Sequence, residues 1–328
     1  MTPDQSLLDL SDAFFSLAVA LYSVALVAFC AQLAFGRRPQ RVGELVAAGS
    51  GPVTGARDDD LGGDPTDAVA DRAAQRRAQR WGTLAIGVTV LAALAHAGVL
   101  VCRWLALDRL PWGNMYEFAT AVVLVSVVAY VVLAMRAPAL RHIGVFVLAP
   151  VVLGMVAIGL FLYVRGAPLV AALRSAWLGI HVTAAILGFG IFLVSGIASV
   201  LYLVRSKDEA KPAEERGTGF VSRLPASSVL DRVAHRTAVF GFPIWTFAAI
   251  AGAIWAESAW GRFWGWDPKE TWSFIAWVLY AGYLHARTTA GWRGRPAAWV
   301  NVVGLVVMIF NLTFVNLVIS GLHSYGGK

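Results

Sequence analysis

Cysteine is almost absent from this 328-residue chain, which holds only Cys30 and Cys102 and no C-x-x-C. A disulfide framework, a cysteine-ligated zinc site and a dithiol redox pair are excluded by that count and spacing. Charge is scarce as well. Only 14% of the residues are charged against 58% hydrophobic, where a soluble domain carries about 25% charged residues. The balance of 27 Lys and Arg over 20 Asp and Glu gives +7, but the excess sits in a few segments between apolar runs, so no nucleic-acid face forms. Basic residues are lacking ahead of the first apolar run. The first apolar run is preceded by Asp4, Asp9 and Asp12 and followed by Arg37 and Arg38, the reverse of a cleavable signal peptide, so it reads as a retained helix. No internal repeat is found.

What remains is apolar length. Runs long enough to cross a bilayer, about 20 residues, fall at 13–35, 81–105, 115–135, 143–164, 176–204, 237–256, 271–286 and 299–321. The expectation is an all-α polytopic membrane bundle of about eight helices. With both termini outside, the inner segments 36–80, 136–142, 205–236 and 287–295 hold 20 of the 27 basic residues, as the positive-inside rule requires. The chain then divides into a first helix (1–35), a flexible cytoplasmic linker (36–80), helices two to five (81–204), a second cytoplasmic linker (205–236) and helices six to eight (237–328). Basic linkers beside anionic lipid make membrane lipids the expected partner of those charges.

Between the sixth and seventh spans, residues 255–272 carry five tryptophans, Trp255, Trp260, Trp264, Trp266 and Trp272, with Gly261 and Gly265 between them. Interfacial anchoring uses one or two, so the segment reads as a flat aromatic platform for a large planar ligand. Asp267-Pro268, with Glu270 three residues after Asp267, is an N-terminal helix signal. His181, near the outer end of the fifth span, and His323, just past the eighth, fall at the level of this segment. Thr313, Asn316, Ser320 and His323 recur at helical spacing as a polar stripe, which on a membrane helix faces a cavity or the bundle. Two imidazoles beside a planar aromatic site match the needs of a bis-histidine heme better than those of zinc, which wants three or four ligands.

His96 and His285 lie within the second and seventh spans, where an ionisable side chain marks a functional candidate. At about 1.5 Å per residue they sit roughly 12 and 20 Å below Trp104 and Trp272, a loose match for a second, deeper heme. Arg103, on the same helix face as His96, either pairs with a heme propionate or snorkels to the interface. Glu117 either caps the third helix or orients a ligand histidine.

The run Trp260-Gly261-x-x-Trp264-x-Trp266-Asp267-Pro268-x-Glu270 resembles the WWD signature of heme-handling proteins of cytochrome c maturation. Pro111-Trp112-x-Asn114-Met115-Tyr116-Glu117, Leu284-His285-x-Arg287 and Gly321-Leu322-His323-Ser324-Tyr325-Gly326 extend the likeness, and from residue 81 onward the chain is similar to the CcsA (ResC) family of the system II pathway. The resemblance implies a bacterial plasma-membrane protein that exports heme b and presents it, beneath the external WWD segment, for attachment to the C-x-x-C-H thiols of apocytochrome c. It implies heme lyase activity together with a CcsB/ResB-type membrane partner, with thiol-reducing pathway proteins upstream. His181 and His323 would be the external ligands, His285 and His96 the transmembrane ones. Trp255, Trp260, Trp264, Trp266, Asp267 and Arg103 are the expected cofactor contacts. Two other readings stay open: a heme chaperone or transporter without synthase activity, and a non-heme scaffold docking partners through the Trp loop.

Overall fold

The computed structural model describes residues 3–35, 65–166, 174–216 and 219–323. Among these there is no strand. The principal helices are α1 (Gln5–Phe35), α2 (Pro65–Leu107), α3 (Met115–Arg136), α4 (Gly144–Ala157, continued by one wide turn Ile158–Leu162), α5 (Ala176–Glu209), α6 (Ser227–Trp260), α7 (Pro268–Thr288) and α8 (Arg295–Leu312), followed by a single turn at Phe314–Leu317. Each coincides with one expected span, and the chain is an all-α polytopic membrane bundle. Seven are long and apolar enough to cross a membrane. The exception, α7, runs as one 21-residue helix within the bundle, but Lys269, Glu270, His285 and Arg287 dilute its apolar character.

The helices overrun the expected linkers. α2 begins at Pro65, so its first turns occupy residues assigned to the first linker, whose remainder, 36–64, lies outside the described residues. α5 extends to Glu209 and α6 starts at Ser227, which shortens the second linker to 210–226. Alternating Arg, Asp and Glu support such water-exposed helix ends by pairs one turn apart, as Arg205 does with Glu209 at 2.9 Å.

Between apolar helices in lipid there is little hydrophobic drive to associate, so close approach through small residues has to supply the contact. α1 and α2 show how. Ser11, Ala18, Ala25 and Gln32 on α1, and Ala78, Ala85, Ala92 and Val99 on α2, are all buried and each row repeats every seven residues, the period of a left-handed coiled-coil seam. The pair runs antiparallel, tied by Ser11 Oγ donating to Val99 O at 3.1 Å. α5 is the central helix, packed against α3, α6 and α8. It meets them through glycines: a Cβ on Gly190 would stand 2.6 Å from Val125, and one on Gly196 2.6 Å from Leu305. One consequence matters for the site. The amino ends of α3, α5 and α7 and the carboxyl ends of α6 and α8 meet at one end of the bundle, where they surround a cavity.

Candidate functional site

The cavity is built from helix ends and two loops. Trp112, Gly113 and Asn114 come from the loop before α3, His181 and Leu178 from α5, Trp255 and Gly252 from α6, Phe263 and Trp264 from the loop after it, Lys269 from α7, and Asn316 and His323 from beyond α8. Its non-atom space, open mouth included, is about 1220 Å³, and the centres of water-sized molecules fit over about 160 Å³ of it. The walls stand close together, so an occupant the size of a macrocycle has to part them. Phe263 and Trp264, with Trp112, Gly113, Asn114 and His323, form the part of the wall outside any helix.

Both expected external histidines line this cavity, and each is held in the same way. Nδ1 of His181 donates to the backbone O of Ala248 at 2.8 Å, and Nδ1 of His323 to Oδ2 of Asp267 at 2.8 Å. A carbonyl or carboxylate oxygen only accepts, so Nδ1 carries a proton, and in the neutral ring Nε2 keeps its lone pair. Neither Nε2 has a hydrogen-bond partner among the described residues. An imidazole fixed through one nitrogen and free at the other is the state of a metal-ligating histidine. Among the described residues no group of three or more His, Cys, Asp or Glu forms a metal cluster; the chemistry of the donor set is two imidazoles in an apolar, aromatic surround, which fits heme iron with its ring.

The tryptophans do not form a flat platform. α6 continues through Trp260 and is ended by Gly261 in the left-handed region, φ 70°, so Trp255 and Trp260 are helical and project five residues apart. Trp255, 2% exposed, lies parallel to the His181 ring (10°, centroids 6.0 Å). Trp260 stands one layer behind, edge-on to Trp255 at 4.8 Å and to His323 at 4.9 Å, and is not among the cavity-lining residues. Trp264 lines the cavity, whereas Trp266 is 64% exposed and meets Trp264 at 89°. Trp272 is on α7 against Phe310. The rings surround the site as edges and faces rather than as one plane.

Asp267 has more than one task. It is the N-cap of α7, accepting from Lys269 N, while Glu270 reaches back to Asp267 N at 3.1 Å, a complete capping box. It also accepts from Leu322 N at 2.7 Å and from His323. Burial, the largest single influence, works against its charge, but the His323 and backbone hydrogen bonds prevail and hold the carboxyl below the usual range. Glu270 fixes the Trp loop through Gly265 N at 2.9 Å and through Arg262.

The other expectations separate. Arg103 is 1% exposed and pairs with Glu117 at 3.3 Å, with its guanidinium over the Tyr116 ring. It does not line the cavity, and neither propionate contact nor snorkelling describes its place. Glu117 binds Arg103, Arg109 (2.8 Å) and Gly113 N (2.8 Å), and its own N donates to Asn114, the α3 cap. It therefore braces the loop that carries Trp112, and among the described residues no histidine touches it. His96 is fully buried on α2, with Nδ1 3.2 Å from Tyr22 OH and Nε2 unpartnered. His285 is exposed near the other end of α7. α2 packs on α1 and α3, α7 on α6 and α8, so the two are not brought together as His181 and His323 are.

Of the polar stripe, Asn316 and His323 reach the cavity, while Thr313 and Ser320 are exposed. α8 ends at Leu312, and the periodicity breaks there. Lys269, Phe118 and Trp112 were not expected as wall residues. Trp112 and Lys269 stand inside the quoted motifs, which was the signal that could have found them; Phe118 gave none.

This arrangement defines a class: a membrane helix bundle with two presented imidazoles in an aromatic cavity at one end. Residues 112–323 match the family described as cytochrome C assembly protein. CcsA, a cytochrome c biogenesis protein, from Gloeobacter violaceus is 36% identical over 307 residues, covering 77% of this chain and 89% of that one. CcsA proteins from Guillardia theta (35%, 73% of this chain and 84% of that one) and Synechococcus elongatus (34%, 75% and 88%) are similarly related. The chain belongs to the CcsA family of cytochrome c biogenesis proteins. The solved structure of cytochrome c heme lyase CcmF shares the fold, with a TM-score of 0.55 at 18% identity over 92% of this chain and 46% of that one.

Proposed function

We propose that this chain receives heme b and presents it in the aromatic cavity, with His181 and His323 as axial ligands, for attachment to the C-x-x-C-H thiols of apocytochrome c. The observation that carries this reading is the matched pair of imidazoles, each tied at Nδ1 and free at Nε2, lining one cavity. In this reading the termini and residues 255–272 are extracytoplasmic and the membrane is the plasma membrane. Attachment adds each thiol S–H across a heme vinyl C=C. A C–S bond forms at one vinyl carbon and the hydrogen ends on the other, with no net electron transfer. The chain's contribution is orientation, because holding two reactants in place converts a bimolecular step into an effectively unimolecular one. In this reading His285, exposed near the far end of α7, is the candidate ligand of a transmembrane heme, with the second ligand supplied by the CcsB/ResB-type partner, and His96, buried against Tyr22, is not paired with it.

The first test is the absorption spectrum of the detergent-purified chain, oxidised and reduced, beside a His181→Ala, His323→Ala double variant. A six-coordinate low-spin spectrum lost in the variant supports the ligand pair; an unchanged spectrum refutes it. Covalent product from chain and apocytochrome alone would separate attachment from delivery.

A further inference from the structure

Most polar groups lining the cavity are engaged within the protein. Glu270 is taken by Gly265 N, Asp267 N and Arg262. Asn114 accepts from Glu117 N. The amide nitrogen of Asn311 donates to Ser273 Oγ at 3.0 Å, and that of Asn316 to the backbone oxygens of Asn311 and Leu312. Trp112 Nε1 and Asn311 Oδ1 have no partner among the described residues, but neither carries a charge; Lys269 does. Its ammonium donates to the amide oxygen of Asn316 and lies 5.7 Å from the Phe118 ring centroid. An ammonium has three donors, and Lys269 forms no ion pair among the described residues. The carboxylate of Asp267, two residues away, is committed to His323, Leu322 N and Lys269 N.

Asp267 is near enough to attract the ammonium but is shared with three other donors, so the cation in this apolar wall is only partly compensated and a bound anion lowers the cost further. We propose that Lys269, supported by Asn316, is the subsite that receives a carboxylate on the edge of the bound macrocycle. The inference rests on the heme reading above and adds to it the in-plane orientation. Two axial imidazoles fix the ring plane but leave rotation about the iron–nitrogen axis free. A carboxylate held at Lys269, on the first turn of α7, stops that rotation. Protoporphyrin carries its two carboxylates on one edge and its vinyls away from it, so the same contact directs the vinyl edge away from Lys269. Asn316 positions the ammonium, and its own amide nitrogen is anchored to two backbone oxygens.

The test compares ferric protoporphyrin IX with its dimethyl ester, which keeps the ring and vinyls but has no carboxylate. Both are titrated into the full detergent-purified chain as wild type, Lys269→Met and Lys269→Arg. A charge-assisted hydrogen bond in a buried site corresponds to roughly tenfold to hundredfold in affinity. Wild type should therefore hold the diacid tighter than the ester by that ratio. Lys269→Met should close the gap while retaining the two-imidazole low-spin spectrum, and Lys269→Arg should reopen much of it. Equal affinity for diacid and ester in wild type, or an undiminished gap in Lys269→Met, would overturn the subsite and leave the heme reading standing. Wild-type chain that takes up neither porphyrin, or takes them up without two-imidazole ligation, would overturn both.

Discussion

Gly252 provides a stringent test of the site because it touches a proposed ligand without being one. It lies on α6 one turn beyond Ala248, whose carbonyl holds His181, and a Cβ at that position would stand 2.7 Å from both Cε1 and Nδ1 of the imidazole. Ordinary contact for such atoms begins at about 3.5 Å, so Gly252→Ala forces the ring back by roughly 0.8 Å or spreads α5 from α6. Either movement breaks the 2.8 Å bond from Nδ1 to Ala248 O. Overpacking costs about 1–3 kcal/mol and the hydrogen bond about 0.5–1.5 kcal/mol. Together they predict a loss of heme affinity on the order of tenfold to a thousandfold, with a low-spin spectrum converted in part to a five-coordinate one. The assay is heme titration of the purified variant, together with covalent heme on a reporter cytochrome c in cells. Gly87→Ala is the control, since nothing lies within 4 Å of its Cβ position. Wild-type affinity and spectrum in Gly252→Ala would show that His181 does not hold iron from its place between Ala248 and Gly252.

Asp267→Ala removes the α7 cap and the His323 contact together. Cap loss costs about 0.5–2 kcal/mol and loss of an outer-shell partner about 10–100-fold in metal affinity, read by thermal unfolding and heme titration. Because the Asp267 carboxyl is held below its usual range in the fold, its contribution is complete above the unfolded carboxylate pKa, near 3.9, and is lost as pH falls through the lower folded value. The ligand spectrum should accordingly be unchanged from neutral pH down to about 5. Glu117→Gln leaves Arg103 and Arg109 without their shared buried counter-charge, a loss of about 3–5 kcal/mol expected to appear as a sharp fall in membrane accumulation. Trp255→Ala should cost about 3–5 kcal/mol by cavity formation, whereas Trp266→Ala, at a 64% exposed site, should stay within about 0.5 kcal/mol; equal effects by thermal unfolding would contradict the placement of the two rings.

The bundle was legible because apolar length is a strong signal, and every expected span became a helix. Where the helices stop was less so: α2 begins at Pro65 and α5 runs on to Glu209, since polar turns fold when an apolar helix beyond them is already in place. The pairing of two histidines at one cavity was legible from depth alone, because His181 and His323 each sit at one end of a span. The shape of the Trp segment was not. Its flat-platform reading treated 255–272 as one piece, while Gly261 ends α6 and Asp267 starts α7, so rotation along two helices and a loop sets each ring separately. Arg103 misled for a related reason. Its position on α2 fixes a helix face and level, but the partner, Glu117, comes from α3, and pairing across helices leaves no mark in local spacing.

The two proposed ligands share an anchor at Nδ1 but differ in what surrounds them, and this gives the site a direction. His181 projects from the second turn of α5 and packs against α6, with Trp255 parallel to its ring and Gly252 against it. His323 lies beyond the last helical turn, and its position depends on one carboxylate and on edge contacts with Trp255 and Trp260. Exchange of one imidazole for another therefore meets less resistance at His323, so the histidine of an arriving C-x-x-C-H motif should take that position while His181 keeps the iron. The expected result is that added imidazole displaces a ligand faster in Asp267→Ala than in wild type. In His181→Ala, restoration of the low-spin spectrum should need less imidazole than displacement of His323 in wild type, because the first fills an open position. Displacement rates that respond to Gly252→Ala and not to Asp267→Ala would reverse the assignment and make His181 the leaving ligand.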